Sequence, residues 1–362
     1  MKSLLLLLCC SMSLLLSSCM NQNASLEGKL LLTDLSGTQV KVSDNINRIA
    51  ALSTSNALII HMLNGSDKII ATTQPPSTQP WYVKLNPELL NIPILINRDT
   101  DPVNIEELFA LNPDIVVSEN ELQINQIRRA GLDTIYVNRT NFENIKQSVT
   151  VTAQMLNNDS EAMGNEFIDY FDEKINKISF IVNTINEDEK PRVFFSRSSQ
   201  TSASRFVTFG NNTIVDEWIR LCGGINIMHG IEGSKEMSVE EFIASDPDII
   251  LIRGSNAHGL GGGERIKNDF LNDPALSEVA AIRNRAIYLC PVGFELWSTH
   301  SVEMALHIQW ASQIFHPDLF EDTNIIAEAG AFYKRFFDID FSDDDIERIL
   351  LQLNPGDILP KN

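Results

Sequence analysis

One short pattern occurs twice in this chain, and it constrains the fold more than any other feature. Residues 104–117 read NIEELFALNPDIVV and residues 238–251 read SVEEFIASDPDIIL. Glu106/Glu240, Glu107/Glu241, Ala110/Ala244, Pro113/Pro247, Asp114/Asp248 and Ile115/Ile249 are identical pairs. Asn104 or Ser238 can cap a helix, and Glu107 or Glu241, three residues on, can reach back to complete a capping box. Proline ends the helix, and Asp leads into an apolar run of strand type. Each copy is therefore a helix–turn–strand unit, and two copies imply two α/β lobes of similar plan.

The rest of the chain fits that reading. Its 362 residues suffice for two domains with cores of their own, and 43% hydrophobic with 21% charged residues is a globular composition. A net charge of −20 argues against nucleic acid or anionic lipid as a binding partner and leaves room for a cationic cargo or a basic partner. An acidic surface also serves solubility alone.

The N-terminus reads as a signal peptide: Lys2, an apolar run, then Leu16-Ser17-Ser18-Cys19. The run is too short to span a bilayer, which needs roughly 20 apolar residues. The Leu-Ser-Ser-Cys ending resembles a bacterial lipobox, so residues 1–19 end at a lipidated Cys19, with cleavage before it. The acyl chains would hold the protein to a membrane outside the cytoplasm. Residues 20–28 read as a tether. Cys9 and Cys10 leave with the signal. Cys222 and Cys290 lie in apolar flanks and read as inert thiols, although an exported compartment also permits a disulfide.

Strands and helices alternate through both halves. A hairpin is expected over 29–42, strands over 48–52 and 68–72, and a helix from Ser55 to Gly65 between them. Residues 74–93, with Trp81-Tyr82, read as a proline-rich loop with exposed aromatics. Phe167, Tyr170, Phe171, Ile175, Ile178 and Ile181 recur at three- and four-residue spacing within 159–187, which predicts one amphipathic helix of about 40 Å. The glycine-rich stretch 255–263 reads as a surface loop; it lacks the lysine and spacing of a phosphate-binding loop. Helices are expected over 297–315, 325–337 and 343–353.

These motifs, taken in order, carry a family resemblance. TDLSGTQVKV followed by RIAAL, the step NGSDKIIATT, both copies of the doubled stretch, DEWIRLCGGINI before the second copy, DPALSEVAAIRNRAIYLCPVG, and the C-terminal WSTHSVEMALHIQWASQIFHPDLF and AFYKRFFDIDFSDDDIERIL resemble the substrate-binding lipoproteins of ABC importers for iron–siderophores, cobalamin, haem and related metal chelates. The sequence departs from the family pattern at Asn64, where leucine is usual, and at Asn284, where glycine is usual. The resemblance implies an α/β fold of two Rossmann-like lobes bridged by one long helix, with a ligand cleft between them and modest closure. It implies an N-terminal lobe over 29–157, a bridging helix over 158–188, a C-terminal lobe over 189–337 and a helical extension over 338–362. It further implies a monomer that binds a metal chelate, a ferric siderophore first, then haem or cobalamin, then a nickel or cobalt complex. The partner is an ABC permease with its cytoplasmic ATPase, and there is no intrinsic cofactor and no catalysis.

By the same resemblance Glu106 and Glu240 face the permease, while Glu107 and Glu241 cap helices. The helix dipole by itself also favours acids at these positions. Residues that follow strands should line the cleft. In the first lobe these are Trp81, Tyr82, Arg98, Glu119 and Asn120. In the second they are Arg197, Arg205 and the segment Phe294-Glu295-Leu296-Trp297, with His258 and His300 as metal-proximal ligands, and the strand of the second copy should aim at the cleft through the residues from Arg253 to His258. Aromatics suit the organic shell of a chelate and arginines its anionic rim; core packing and loop ion pairs are the competing roles. An enzyme or an adhesin on a lipoprotein anchor remains the other class of reading, but no G-x-S-x-G elbow or metal triad is present in the sequence.

Overall fold

The computed structural model describes residues 29–73, 79–96, 101–157, 159–197, 205–253 and 262–360. The first lobe opens with a hairpin of β1 (Lys29–Thr33) and β2 (Gln39–Ser43). There follow β3 (Ile49–Ala51), α1 (Thr54–Met62), β4 (Ile69–Thr73), α2 (Pro80–Leu85), β5 (Ile94–Ile96), α3 (Ile105–Ala110), β6 (Ile115–Ser118), α4 (Glu121–Arg129), β7 (Thr134–Tyr136) and α5 (Phe142–Leu156). Its parallel sheet has the order β5-β4-β3-β6-β7. Strand alternation divides the apolar side chains between the two faces. Ile49, Ala51, Ile115 and Val117 face one core, and Ala50, Leu52 and Val116 face another. Burial on both faces explains why these strands read as unbroken apolar runs.

Helix α6 (Asp159–Val182) then leads to the second lobe. It ends earlier than the expected 187, and a 3-10 turn at Glu187–Glu189 follows. Phe167, Tyr170, Phe171, Ile178 and Val182 form its buried stripe, as their spacing predicts. Beyond it come β8 (Arg192–Ser196), β9 (Val207–Phe209), α7 (Ile214–Leu221), β10 (Ile225–Asn226), β11 (Ser234–Glu236), α8 (Val239–Ser245), β12 (Ile249–Ile252), α9 (Gly262–Leu271), α10 (Ala280–Arg283), β13 (Ile287–Leu289), α11 (Met304–Phe315), α12 (Ile325–Phe337) and α13 (Asp343–Leu350). The second parallel sheet has the order β10-β8-β12-β13, and β9 and β11 form a separate antiparallel ribbon. Val193 and Phe195 face the core shared with the first lobe, whereas Phe194, Ile250 and Ile252 face a local one. The shared core runs through α5, α6, α11 and α12, so the two lobes are joined by packing as well as by chain.

The doubled stretch is equivalent in detail. Asp114 accepts from the backbone N–H of Arg48 at 2.9 Å, and Asp248 accepts from that of Arg192 at 2.8 Å. The two arginines donate in turn to carbonyls at the end of the preceding helix, Leu111 and Asn112 in one lobe and Ser245 in the other, where a cation is favoured by the helix dipole. The capping box forms only in the second copy, between Ser238 and Glu241. In the first copy the Asn104 side chain accepts from both Glu106 N and Glu107 N, and no return bond from Glu107 is present among the described residues.

Three expectations are corrected. Trp81 and Tyr82 are not on an exposed loop: Pro80 starts α2 at its first turn, where its fixed φ suits a helix, and both aromatics are buried. The glycine-rich stretch lies mostly outside the described residues, and Gly262 already opens α9, with Gly263 against the Gln352 amide where no Cβ fits. Residues 297–303 form turns ahead of α11. The C-terminal segment also ties the lobes together. Gln352 donates to Ile252 O, Arg253 O and Cys290 O in the second lobe. Leu353 O accepts from Trp81 Nε1 at 2.9 Å, and Asp345 pairs with Lys84 at 2.9 Å, both in the first lobe.

Candidate ligand-binding cleft

In an open parallel sheet the ligand crevice lies beyond the carboxyl ends of the strands, where the winding direction reverses. In the first lobe that point falls between β3 and β6, and in the second between β8 and β12. Ser53, Ser55 and Asn56 follow β3, and Glu119 follows β6. Arg197 and Arg253 follow β8 and β12, whose last paired residues are Ser196 and Ile252. The strand register thus sets the two arginines side by side.

Arg139, two residues past Val137 at the end of the β7 run, is the centre of the first lobe's share. It is 1% exposed. Its guanidinium donates to Asn56 Oδ1 at 2.5 Å and to Ser53 Oγ at 3.3 Å, and it pairs with Glu119. Its Nε crosses to the second lobe and donates to His300 O at 2.7 Å. A second crossing runs from Ser55 Oγ to Glu295 Oε2 at 2.5 Å. A third runs from Phe142 N to Glu217 Oε2 at 3.0 Å.

Electrostatics divide these groups. Arg139 is fully satisfied. Arg197 lies over the Phe209 ring and Arg253 leaves its buried Nε unpartnered, and neither forms an ion pair among the described residues. Burial, and then the Arg197 charge, pull the Arg253 pKa below its ordinary value. The Tyr82 hydroxyl is buried without a partner, and burial with the nearby Glu295 charge raises its pKa. Burial pushes Glu295 up to about 8 and Glu303 up to about 7. The His300 ring keeps contact with solvent yet is closely surrounded, which lowers its pKa.

The remaining expected residues have other places. Trp81, Phe294 and Trp297 are no more than 1% exposed and form core. Phe294 packs on Tyr333 and Phe337, each 4.9 Å away, and Trp297 Nε1 donates to Tyr333 OH at 3.1 Å. Arg205 pairs with Asp273 and lies over the Phe206 and Phe270 rings, so its charge is neutralised although its buried Nε also lacks a partner. Asn120 caps α4 through Leu122 N and Gln123 N. Glu106 and Glu240 are exposed in the first turns of α3 and α8. Arg98, His258, Cys19, the signal segment and the tether lie outside the described residues. Cys222 and Cys290 are free and buried. Among the described residues no cluster of three His, Cys, Asp or Glu could hold a metal, and no helix is long and apolar enough to cross a membrane.

Sequence reasoning did not select Arg139 or Ser55 as ligand-site residues; it reached Glu295 within the segment 294–297 and Arg253 as the first residue after the second copy's strand. Its own rule also reaches Arg139, which closes YVNR. The lobe-crossing bonds of Ser55 and Glu295 had no signal in one dimension.

Comparison with known proteins agrees with this geometry. The family model for periplasmic binding proteins matches residues 49–292. The molybdate-binding protein MolA of Haemophilus influenzae is 25% identical over 339 residues, covering 88% of this chain and 93% of the relative. The uncharacterised ABC transporter substrate-binding lipoprotein YvrC of Bacillus subtilis is 21% identical, covering 80% of this chain and 86% of the relative. A periplasmic solute-binding protein from Veillonella parvula superposes with a TM-score of 0.76 at 23% identity, over 91% of this chain and 99% of that one. With two parallel-sheet lobes, their switch points turned to a common cleft and a family match across both, the chain belongs to the periplasmic binding proteins and is the substrate-binding component of an ABC transporter.

Proposed function

We propose that the ligand carried to the permease is an anionic, metal-containing small molecule, captured outside the cytoplasm without any reaction being catalysed. The observation that supports this is the Arg197–Arg253 pair at the second lobe's switch point, without a carboxylate partner among the described residues. Arg197 is exposed, but Arg253 is half-buried, and leaving that guanidinium unpaired is costly unless a ligand completes it. A ferric siderophore with a catecholate or carboxylate rim is the first candidate, since arginine binds such oxygens bidentately. Haem, through its propionates, fits the same charge, and cobalamin or a nickel or cobalt complex fits it less well. The second reading is a free oxyanion, favoured by similarity to a protein named for molybdate binding. Lipidation at Cys19 would anchor the protein to the membrane, a reading supported by similarity to a lipoprotein. A single chain would serve one ABC permease with its cytoplasmic ATPase.

Titration calorimetry against ferric siderophores, haem, cobalamin, nickel–histidine and molybdate tests this. At least one anionic member should bind one to one with a Kd of about 1 μM or tighter. Tight binding of cobalamin alone, or of no member, would overturn the anion reading.

A further inference from the structure

Glu295 occupies a position that packing alone does not require. It lies on the loop between β13 and α11, yet its carboxylate accepts from Ser55 of the opposite lobe at 2.5 Å. Its own backbone N–H is committed to Glu303 Oε2 at 2.7 Å. The charged and titratable groups facing it come from every side of the cleft. They are Tyr82 from α2, Glu119 after β6, Arg139 after β7, Arg253 after β12, and Glu303 ahead of α11.

Most of these groups cancel or are held. Glu119 and Arg139 pair with one another. Glu303 is fully enclosed by donors from Phe294 N, Glu295 N, Ser301 Oγ and Tyr333 OH. Tyr82 is held neutral by burial, and the close surroundings of the His300 ring, which faces Glu119, Arg139 and Arg253, lower its pKa. The charges left to act on a ligand are Arg197 and Arg253 on one side and the Glu295 carboxyl on the other.

We propose that Glu295 is a proton-linked selector for the cleft, taking up a proton as an anion settles on Arg197 and Arg253. This rests on the anion reading above. Protonated, Glu295 leaves the two guanidiniums unopposed and offers an O–H toward ligand oxygens. Ionised, it opposes the anion and partly neutralises Arg253. Linkage makes the effect reciprocal: the bound anion raises proton affinity, and alkaline pH weakens the anion. The raised pKa of Glu295, about 8, places the transition just above neutrality.

The test is calorimetry with sodium molybdate and with ferric enterobactin, both of fixed charge between pH 7 and 9. For whichever probe binds, affinity should fall at least about fivefold from pH 7 to 9, with net uptake of roughly half a proton at pH 8 when HEPES and Tris heats are compared. Glu295→Gln should bind with affinity constant within about twofold over the same range. If that variant does not fold, Ser55→Ala takes its place: removing the donor to the Glu295 carboxylate should move the transition in affinity to higher pH, and an unmoved transition would overturn the selector. A wild-type affinity independent of pH with no proton exchange would overturn the selector and leave the anion reading standing. An unchanged pH slope in Glu295→Gln would also overturn it. Binding of neither probe, nor of any other anionic member of the panel above, at either pH would overturn both.

Discussion

Arg139 of the first lobe donates its Nε–H to the backbone carbonyl of His300 in the second, at 2.7 Å. The same guanidinium holds Ser53, Asn56 and Glu119, so one buried side chain organises the first switch point and ties it to the facing lobe. Arg139→Met should leave Asn56 Oδ1, Glu119 and His300 O without their donor. We expect a loss of about 2–4 kcal/mol, reduced from the fully buried range because Glu119 reaches solvent. Urea unfolding measures it, and Arg139→Met with Glu119→Gln should lose less than the single change.

Arg253 should behave in the opposite way. Its Nε has no partner and its charge faces Arg197. Arg253→Met should leave stability unchanged or raise it, by up to about 1 kcal/mol. Ligand affinity should fall at least tenfold, or about 1.4 kcal/mol. A marked fall in Tm with full affinity would assign Arg253 to structure.

Trp297 and His300 separate packing from binding within one loop. Trp297→Ala removes a fully buried indole and the donor to Tyr333 OH. The expected loss is about 3–5 kcal/mol of stability, read by thermal melting. His300→Ala keeps the backbone carbonyl that Arg139 uses, so it should melt like the parent and alter only ligand affinity. If His300→Ala binds normally, the imidazole is no part of the site.

The buried ionisable groups set the pH profile of stability. His61 and His307 are lowered by burial, to about 4 and about 3, so the unfolded chain binds more protons and stability is lost as pH falls from 6.5 toward those values. Glu295 and Glu303 are raised, so their contribution is complete below pH 4.5 and is lost as pH rises through about 7 and about 8. The two pairs nearly offset between pH 4.5 and 6.5. Calorimetric Tm should therefore be level there and decline on either side. His307→Phe, which removes two unpartnered ring nitrogens between Trp218 and Trp310, should flatten the acid limb.

Glu106 and Glu240 stand on equivalent turns of the doubled stretch, exposed and with side chains unused by its caps. Reversing both to Lys should abolish uptake in a reconstituted transporter while calorimetry shows unchanged ligand affinity. Unchanged uptake would remove the docking role.

The doubled stretch determined the most by itself. Local rules govern it: a capping residue, a proline stop and an apolar strand, and each acts within a few residues. The same locality made α6 and the parallel strands legible, because one face or both faces must be apolar to be covered. What only the tertiary structure decided is which polar groups meet. Trp81 looked exposed until residues 341–353 covered it, and Trp297 looked like a cleft aromatic until Tyr333 took its N–H. Arg197, Arg205 and Arg253 carry the same charge in the sequence. Asp273 neutralises Arg205, while Arg197 and Arg253 form no ion pair among the described residues and are set side by side by the register of β8 and β12. Sequence fixes periodicity over neighbouring residues, and long-range packing selects which charges remain free to bind.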